Sequence, residues 1–251
     1  MTGAEQAIEP LPGGIGVTHL KVYESVAPDG LAGGSPHMHF ACSEAYLVIR
    51  GAGAVQTLSS SGFREIPLTP GSLVWFTPGV IHRLINGDGE LEIFAVMENA
   101  GLPEHGDSVL TFPGRYFADE STYMSAASLD PDPSSGRSRV DAVRTRRNLA
   151  VEGYQELRRE FERGGSLQVF YNQVVPLIRS KERDWRGLWE SGAARTILRT
   201  EGFLDKLRVG ASDYLNHGRV FQFPFNTLAR ERKLGMCGTL RPYLAEGALI
   251  V

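Results

Sequence analysis

The sequence predicts a mainly β domain, a small barrel or sandwich, followed by an α-helical C-terminal extension. Between Gly16 and Phe112, short runs of β-branched and apolar residues recur at near-regular spacing. Glycine, proline and serine turns punctuate those runs. Beyond the linker-like stretch Asp130–Gly136 the texture changes to charged, helix-favouring segments.

The elements follow in order. Val17–Tyr23 alternates and is β-branched, which predicts a strand. Pro28–Gly30 reads as a turn. Glu44–Arg50 is a strand stopped at Gly51, with Ala54–Leu58 as its hairpin partner. Ser59–Gly62 turns into Phe63–Leu68, and Thr69–Gly71 turns into Ser72–Phe76. His82–Asn86 and Glu90–Met97 complete the strand series. In the second part, Arg139–Arg163 predicts a helix with Val140, Val143, Leu149, Tyr154, Leu157 and Phe161 as its apolar positions. Ser166 is a candidate N-cap for the next helix, which Pro176 kinks or ends. A third helix is expected from Asp184 to about Gly210, with Trp185 and Trp189 one turn apart. Val220–Phe225 is a strand or an extended arm. The resulting division is a flexible N-terminus (1–15), a barrel (16–125), a linker (126–137) and a mostly helical extension with an extended tail (138–251).

Composition limits the function classes. A 251-residue chain with 42% hydrophobic residues is long enough for a full core. Its net charge of −3 carries no electrostatic footprint for nucleic acid or an anionic membrane. No segment approaches the ~20 apolar residues of a membrane span, and Met1–Gly16 lacks the basic and apolar regions of a signal peptide. With two distant cysteines, Cys42 and Cys237, expected to be reduced, the sequence is read as cytoplasmic, with no nucleic-acid or membrane partner.

Chemistry concentrates in two runs, Gly34–Glu44 and Thr77–Asn86. The first holds His37, His39 and Glu44; the second holds His82. Residues i and i+2 of a strand share a face, ~6–7 Å apart, so His37 and His39 look the same way. Glu44 opens the next strand and adds an anionic oxygen, and His82 arrives from a distant strand. Three neutral imidazoles and one carboxylate suit one divalent transition metal: iron, manganese, zinc, nickel, cobalt or copper. His19, His105 and His217 lack such a context and read as surface or packing histidines. Cys42, between two ligands, reads as a small buried residue, with a thiol beside the site as the alternative.

These runs resemble the two motifs of the cupin superfamily. The first, G-x5-HxH-x3-4-E-x6-G, is carried by His37, His39, Glu44 and Gly51, with Gly33 or Gly34 standing close to the first histidine. The second, G-x5-PxG-x2-H-x3-N, is carried by Gly71, Gly79, His82 and Asn86; Thr77 replaces the motif proline, and Pro78 follows it. The resemblance covers residues 16–112. It implies a double-stranded β-helix, a jelly-roll-like barrel, with the metal held by His37, His39, Glu44 and His82. It also implies a homodimer.

Strand parity adds lining residues. If Glu44 points inward, so do Tyr46, Val48 and Arg50. Tyr46 is the candidate hydrogen-bond donor or acid/base, and Arg50 the candidate anchor for an anionic substrate. Leu84 and Asn86 share the face of His82, and Gln56, Trp75 and Phe76 are further lining candidates. The expected function is a metal-dependent enzyme acting on a small oxygen-rich molecule, with a dioxygenase foremost. The alternatives are a Lewis-acid isomerase or lyase on a sugar-like or carbonyl substrate, and a non-catalytic metal-containing binding protein. A slightly acidic chain with its helices C-terminal argues against a DNA-binding sensor. The helices are expected to pack as an appendage, cover the barrel mouth or form a dimer interface. The tail is expected to pair with a barrel edge.

Overall fold

The computed structural model describes residues 9–130, 138–223, 231–244 and 248–250. Two antiparallel sheets face each other around an apolar interior. The strands are β1 (Gly16–Val22), β2 (His37–Met38), β3 (Glu44–Arg50), β4 (Gly53–Ser59), β5 (Gly62–Leu68), β6 (Leu73–Phe76), β7 (Ile81–Asn86), β8 (Glu92–Met97) and β9 (Val109–Leu110). The helices α1 (Glu120–Ala127), α2 (Arg139–Glu162), α3 (Gln168–Ile178), α4 (Glu182–Ser191) and α5 (Ala193–Arg208) follow. The tail adds β10 (Phe221–Gln222), β11 (Lys233–Leu234), β12 (Gly238–Tyr243) and β13 (Leu249–Ile250). One sheet runs β11-β12-β1-β8-β3-β6, the other β5-β4-β7-β2-β9, and β10 pairs with β13. The β architecture is as expected, but helix (roughly 39%) outweighs strand (roughly 28%), so the whole chain is mixed.

Alternation explains the barrel interior. Glu44, Tyr46 and Val48 are buried on β3, between the outward Ala45 and Leu47. Tyr46 and Val48 meet Leu20 and Val22 of β1, Leu84 of β7 and Ile93 of β8 in one core cluster. Gly51 closes β3 at φ +73°, and a Cβ there would stand 2.4 Å from the carbonyl carbon of Glu90. Only glycine fits that turn.

The helices cover the outer face of the five-stranded sheet. Met38 and Ile81, the neighbours of His37 and His82, point away from the interior into a second core with Ala150, Tyr154, Phe170 and Val174. Helix α2 starts on a capping box of Ser138 and Asp141. Its Gly153 lets it approach β9 closely: a Cβ would lie 2.2 Å from Thr111 O. Two buried arginines of α2 bond main-chain carbonyls, Arg147 to Ser25 and Val26 and Arg146 to Gly235. Tyr171 of α3 donates to Gly79 O at 2.9 Å.

Several details differ from the sequence reading. Helix α1 was not expected; Asp119 caps it, accepting from Thr122 N at 2.9 Å. The N-cap of α3 is Leu167 rather than Ser166, which lies one residue earlier and accepts from the Gln168 amide at 3.1 Å. Pro176 lies inside α3, which ends two residues later. The third expected helix is two, because Gly192 (φ −103°, ψ −102°) breaks it. Trp185 is buried, whereas Trp189 is half-exposed. The tail returns to the barrel: β12 pairs with β1, with Val22 opposite Gly238. Residues 131–137 of the linker and 224–225 of the Val220–Phe225 run lie outside the described residues; within that run Phe221–Gln222 form β10.

Candidate metal centre

The two sheets bring the four expected ligands together. His37 on β2 pairs in register with His82 on β7, His39 follows β2 directly, and Glu44 opens β3 on the opposite sheet. All four are buried, and one ligand atom from each lies within 4.8 Å of all the others. Glu44 Oε2 stands 3.1 Å from His82 Nε2 and 3.4 Å from His39 Nε2. His37 Nε2 and His82 Nε2 are 3.2 Å apart.

Each imidazole is oriented by a main-chain carbonyl. His37 Nδ1–H donates to Ser35 O at 2.9 Å, and His82 Nδ1–H to Val80 O at 3.0 Å. His39 Nδ1–H donates to Asp107 O. Each bond places the proton on Nδ1 and leaves Nε2 a lone pair aimed at the centre. Lone pairs and a carboxylate oxygen repel at these distances unless a proton or a metal cation lies among them. Glu44 Oε2 is buried without a hydrogen bond. The donor set therefore fits a divalent transition metal.

The electrostatics agree. Burial and the neighbouring His82 and His39 hold His37 well below its usual value, so it is a neutral ligand at pH 7. Burial opposes protonation of His39 as well, but the nearby Asp107 and Glu44 carboxylates prevail and lift it to about 10. Burial alone would raise Glu44; His39 and His82 outweigh it and keep the carboxyl far below its usual range. Without a metal, the cluster thus keeps one proton on His39 against the Glu44 anion.

Tyr46 points into the barrel as parity predicted and is fully buried. Its ring packs edge-on against Phe76 and His82, at centroid distances of 5.2 and 6.2 Å. Its hydroxyl lies beside Glu44 and Cys237 but meets neither in hydrogen-bonding geometry. Burial and the Glu44 charge raise it well above the usual phenol value, so it stays protonated. Phe76 stacks on His82 with 4.1 Å between ring centroids.

Arg50 is a correction. The register shifts between Val48 and Arg50, and this bulge turns the arginine to solvent, where it pairs with Glu90 at 2.6 Å. It does not line the site. Trp75 is also exposed. Gln56 lies opposite Arg83, next to the Thr57–His82 pair and hence on the other face of the sheet. Asn86 is structural, bonding Val22 O and the Leu91 amide. His19 bonds Glu92 at 2.7 Å, and His105 and His217 are exposed. Cys42 and Cys237 are free and buried.

Asp107 was missed. Its carbonyl holds His39, and its Oδ1 accepts from the Phe40 and Ala41 amides at 3.0 and 2.9 Å. It lies 68 residues from His39, so no local spacing signals it.

Residues 22–97 match the family model described as Cupin domain. The chain carries a cupin domain. Comparison with curated proteins gave no match. Among solved structures similar to this chain is the plu4264 protein of Photorhabdus luminescens. It is 17% identical, with a TM-score of 0.28, over 39% of this chain and 70% of that one. A predicted oxalate decarboxylase from Thermotoga maritima is 20% identical, with a TM-score of 0.26, over 34% of this chain and 64% of that one. The DMSP lyase DddQ from Ruegeria pomeroyi is 18% identical, with a TM-score of 0.28, over 38% of this chain and 41% of that one. The chain thus spans less than two thirds of the latter two proteins. Likenesses at these scores carry no argument about activity.

Proposed function

We propose that this cupin is a metal-dependent enzyme acting on a small oxygen-rich molecule, with oxygenation as the first reading. The observation that carries it is the convergence of three Nε2 atoms and the Glu44 carboxylate on one point. A bound metal would supply Lewis acidity there or, as iron or copper, electrons for dioxygen. The chain's own residues do the rest. Glu44 contributes the negative charge, and the carbonyls of Ser35, Val80 and Asp107 fix the imidazole planes. Tyr46 offers a buried, protonated hydroxyl to a substrate oxygen. Phe76 makes one wall apolar.

That neutral phenol also favours a second reading, an isomerase or lyase. A buried donor beside an anion-stabilising centre suits a substrate that develops charge on oxygen. Metal content by plasma mass spectrometry, followed by an oxygen electrode with enolic and aromatic substrates, separates the two. Iron or copper at about one per chain with substrate-dependent oxygen uptake supports oxygenation. Zinc or manganese with turnover and no oxygen uptake supports the second reading. A loaded protein that binds substrate without turnover is a binding protein, and the proposal fails.

A homodimer is part of the proposal. Helix α5 leaves Ile197, Leu198, Leu204 and Leu207 more than half exposed, an apolar surface that a second copy would cover.

A further inference from the structure

A cleft of about 480 Å³ lies away from the metal ligands, where residues 9–15, the first residues of β1, the loop after β8, the α4–α5 junction and the end of β12 meet. That volume is within the ~300–1,000 Å³ range of small-molecule sites. Leu11, Ile15, Leu188 and Tyr243 give it apolar walls. Its charged groups are unequally engaged. Glu9 pairs with Arg199, and Glu104 Oε2 accepts from the Gly101 amide at 2.8 Å. Arg195, exposed on the cleft lining, has no ion-pair partner among the described residues.

We propose that this cleft is a second binding site, for a small amphipathic monocarboxylate whose chain lies against the apolar walls and whose head pairs with Arg195. One unengaged guanidinium matches one carboxylate, which it can bond through two parallel N–H donors. A phosphate or dicarboxylate would place a second negative charge near Glu104 and Glu9, with Arg199, the other arginine of the lining, already paired to Glu9.

The test uses sodium octanoate, with 1-octanol as the uncharged comparison. Calorimetry and ligand-observed NMR follow the full-length protein, both as isolated and after chelation. The expected result is one saturable octanoate per chain, bound at least tenfold more tightly than octanol and unchanged by chelation. Arg195→Ala should weaken octanoate about tenfold, or ~1.4 kcal/mol, and leave octanol unchanged. Leu11→Asp should remove both ligands; each change is at an exposed or half-exposed position, and circular dichroism checks the fold. The assignment is overturned if octanoate does not saturate, if octanol binds equally well, or if Arg195→Ala has no effect. Octanoate binding that disappears on chelation belongs to the metal centre and also overturns it.

Discussion

His39 ties the metal centre to pH. Metal uptake must displace the proton held there, because that imidazole titrates at about 10. Metal affinity should therefore rise with pH between 7 and 9, by about tenfold per unit. Calorimetry in buffers of different ionisation enthalpy should count about one proton released per metal; a count of zero would contradict the His39–Glu44 ion pair. The same proton sets the stability of the chelated protein. A pKa raised on folding contributes fully below the unfolded value of ~6.5. That contribution is lost as pH rises towards about 10. Chelated protein should thus lose stability from pH 7 to 10, while loaded protein lacks this particular loss. Tyr46→Phe removes one hydroxyl from a fully buried ring. It should keep metal content and lower kcat about a hundredfold, the scale of one proton-handling group. Unchanged kcat would make Tyr46 a packing residue.

At the scale of elements, the meeting of His37, His39, Glu44 and His82 was legible because their spacing and the flanking glycines are local. Parity counting carried Tyr46 and Val48 correctly along β3 but failed at Arg50, since a bulge leaves no mark in hydrophobic alternation. The break between α4 and α5 is a single glycine within a continuous helical pattern. The docking of α2 was likewise hidden. Gly153 and two buried arginines face the barrel, which a reading by apolar period places on the solvent side. Gly153→Ala should push α2 off β9, costing about 1–3 kcal/mol as overpacking does. Urea unfolding would register this as a lower midpoint with an unchanged slope.

Across the whole molecule, the barrel is completed by residues from both ends of the sequence. Strand β12 covers the β1 edge, and its neighbour Cys237 fills the interior beside Tyr46. Deleting residues 231–251 should expose a long strand edge and lower soluble yield, together with metal content in whatever stays soluble. Full yield with full loading would show that the tail is dispensable. The intact protein should have about twice its 27.5 kDa chain mass by light scattering. Leu204→Asp with Leu207→Asp should halve that mass, if α5 carries the contact.

The three histidine clamps share one property: their acceptors are all main-chain oxygens, at Ser35, Val80 and Asp107. No side-chain substitution deletes a peptide carbonyl. The orientation of the ligands is therefore sheltered from mutation at Ser35 and Val80 provided the local backbone path is kept, whereas Asp107 also carries side-chain bonds to the Phe40 and Ala41 amides. Such a centre would preserve its geometry while the residues at Ser35 and Val80 that aim it change identity, so that part of what positions the cluster leaves no record in the sequence.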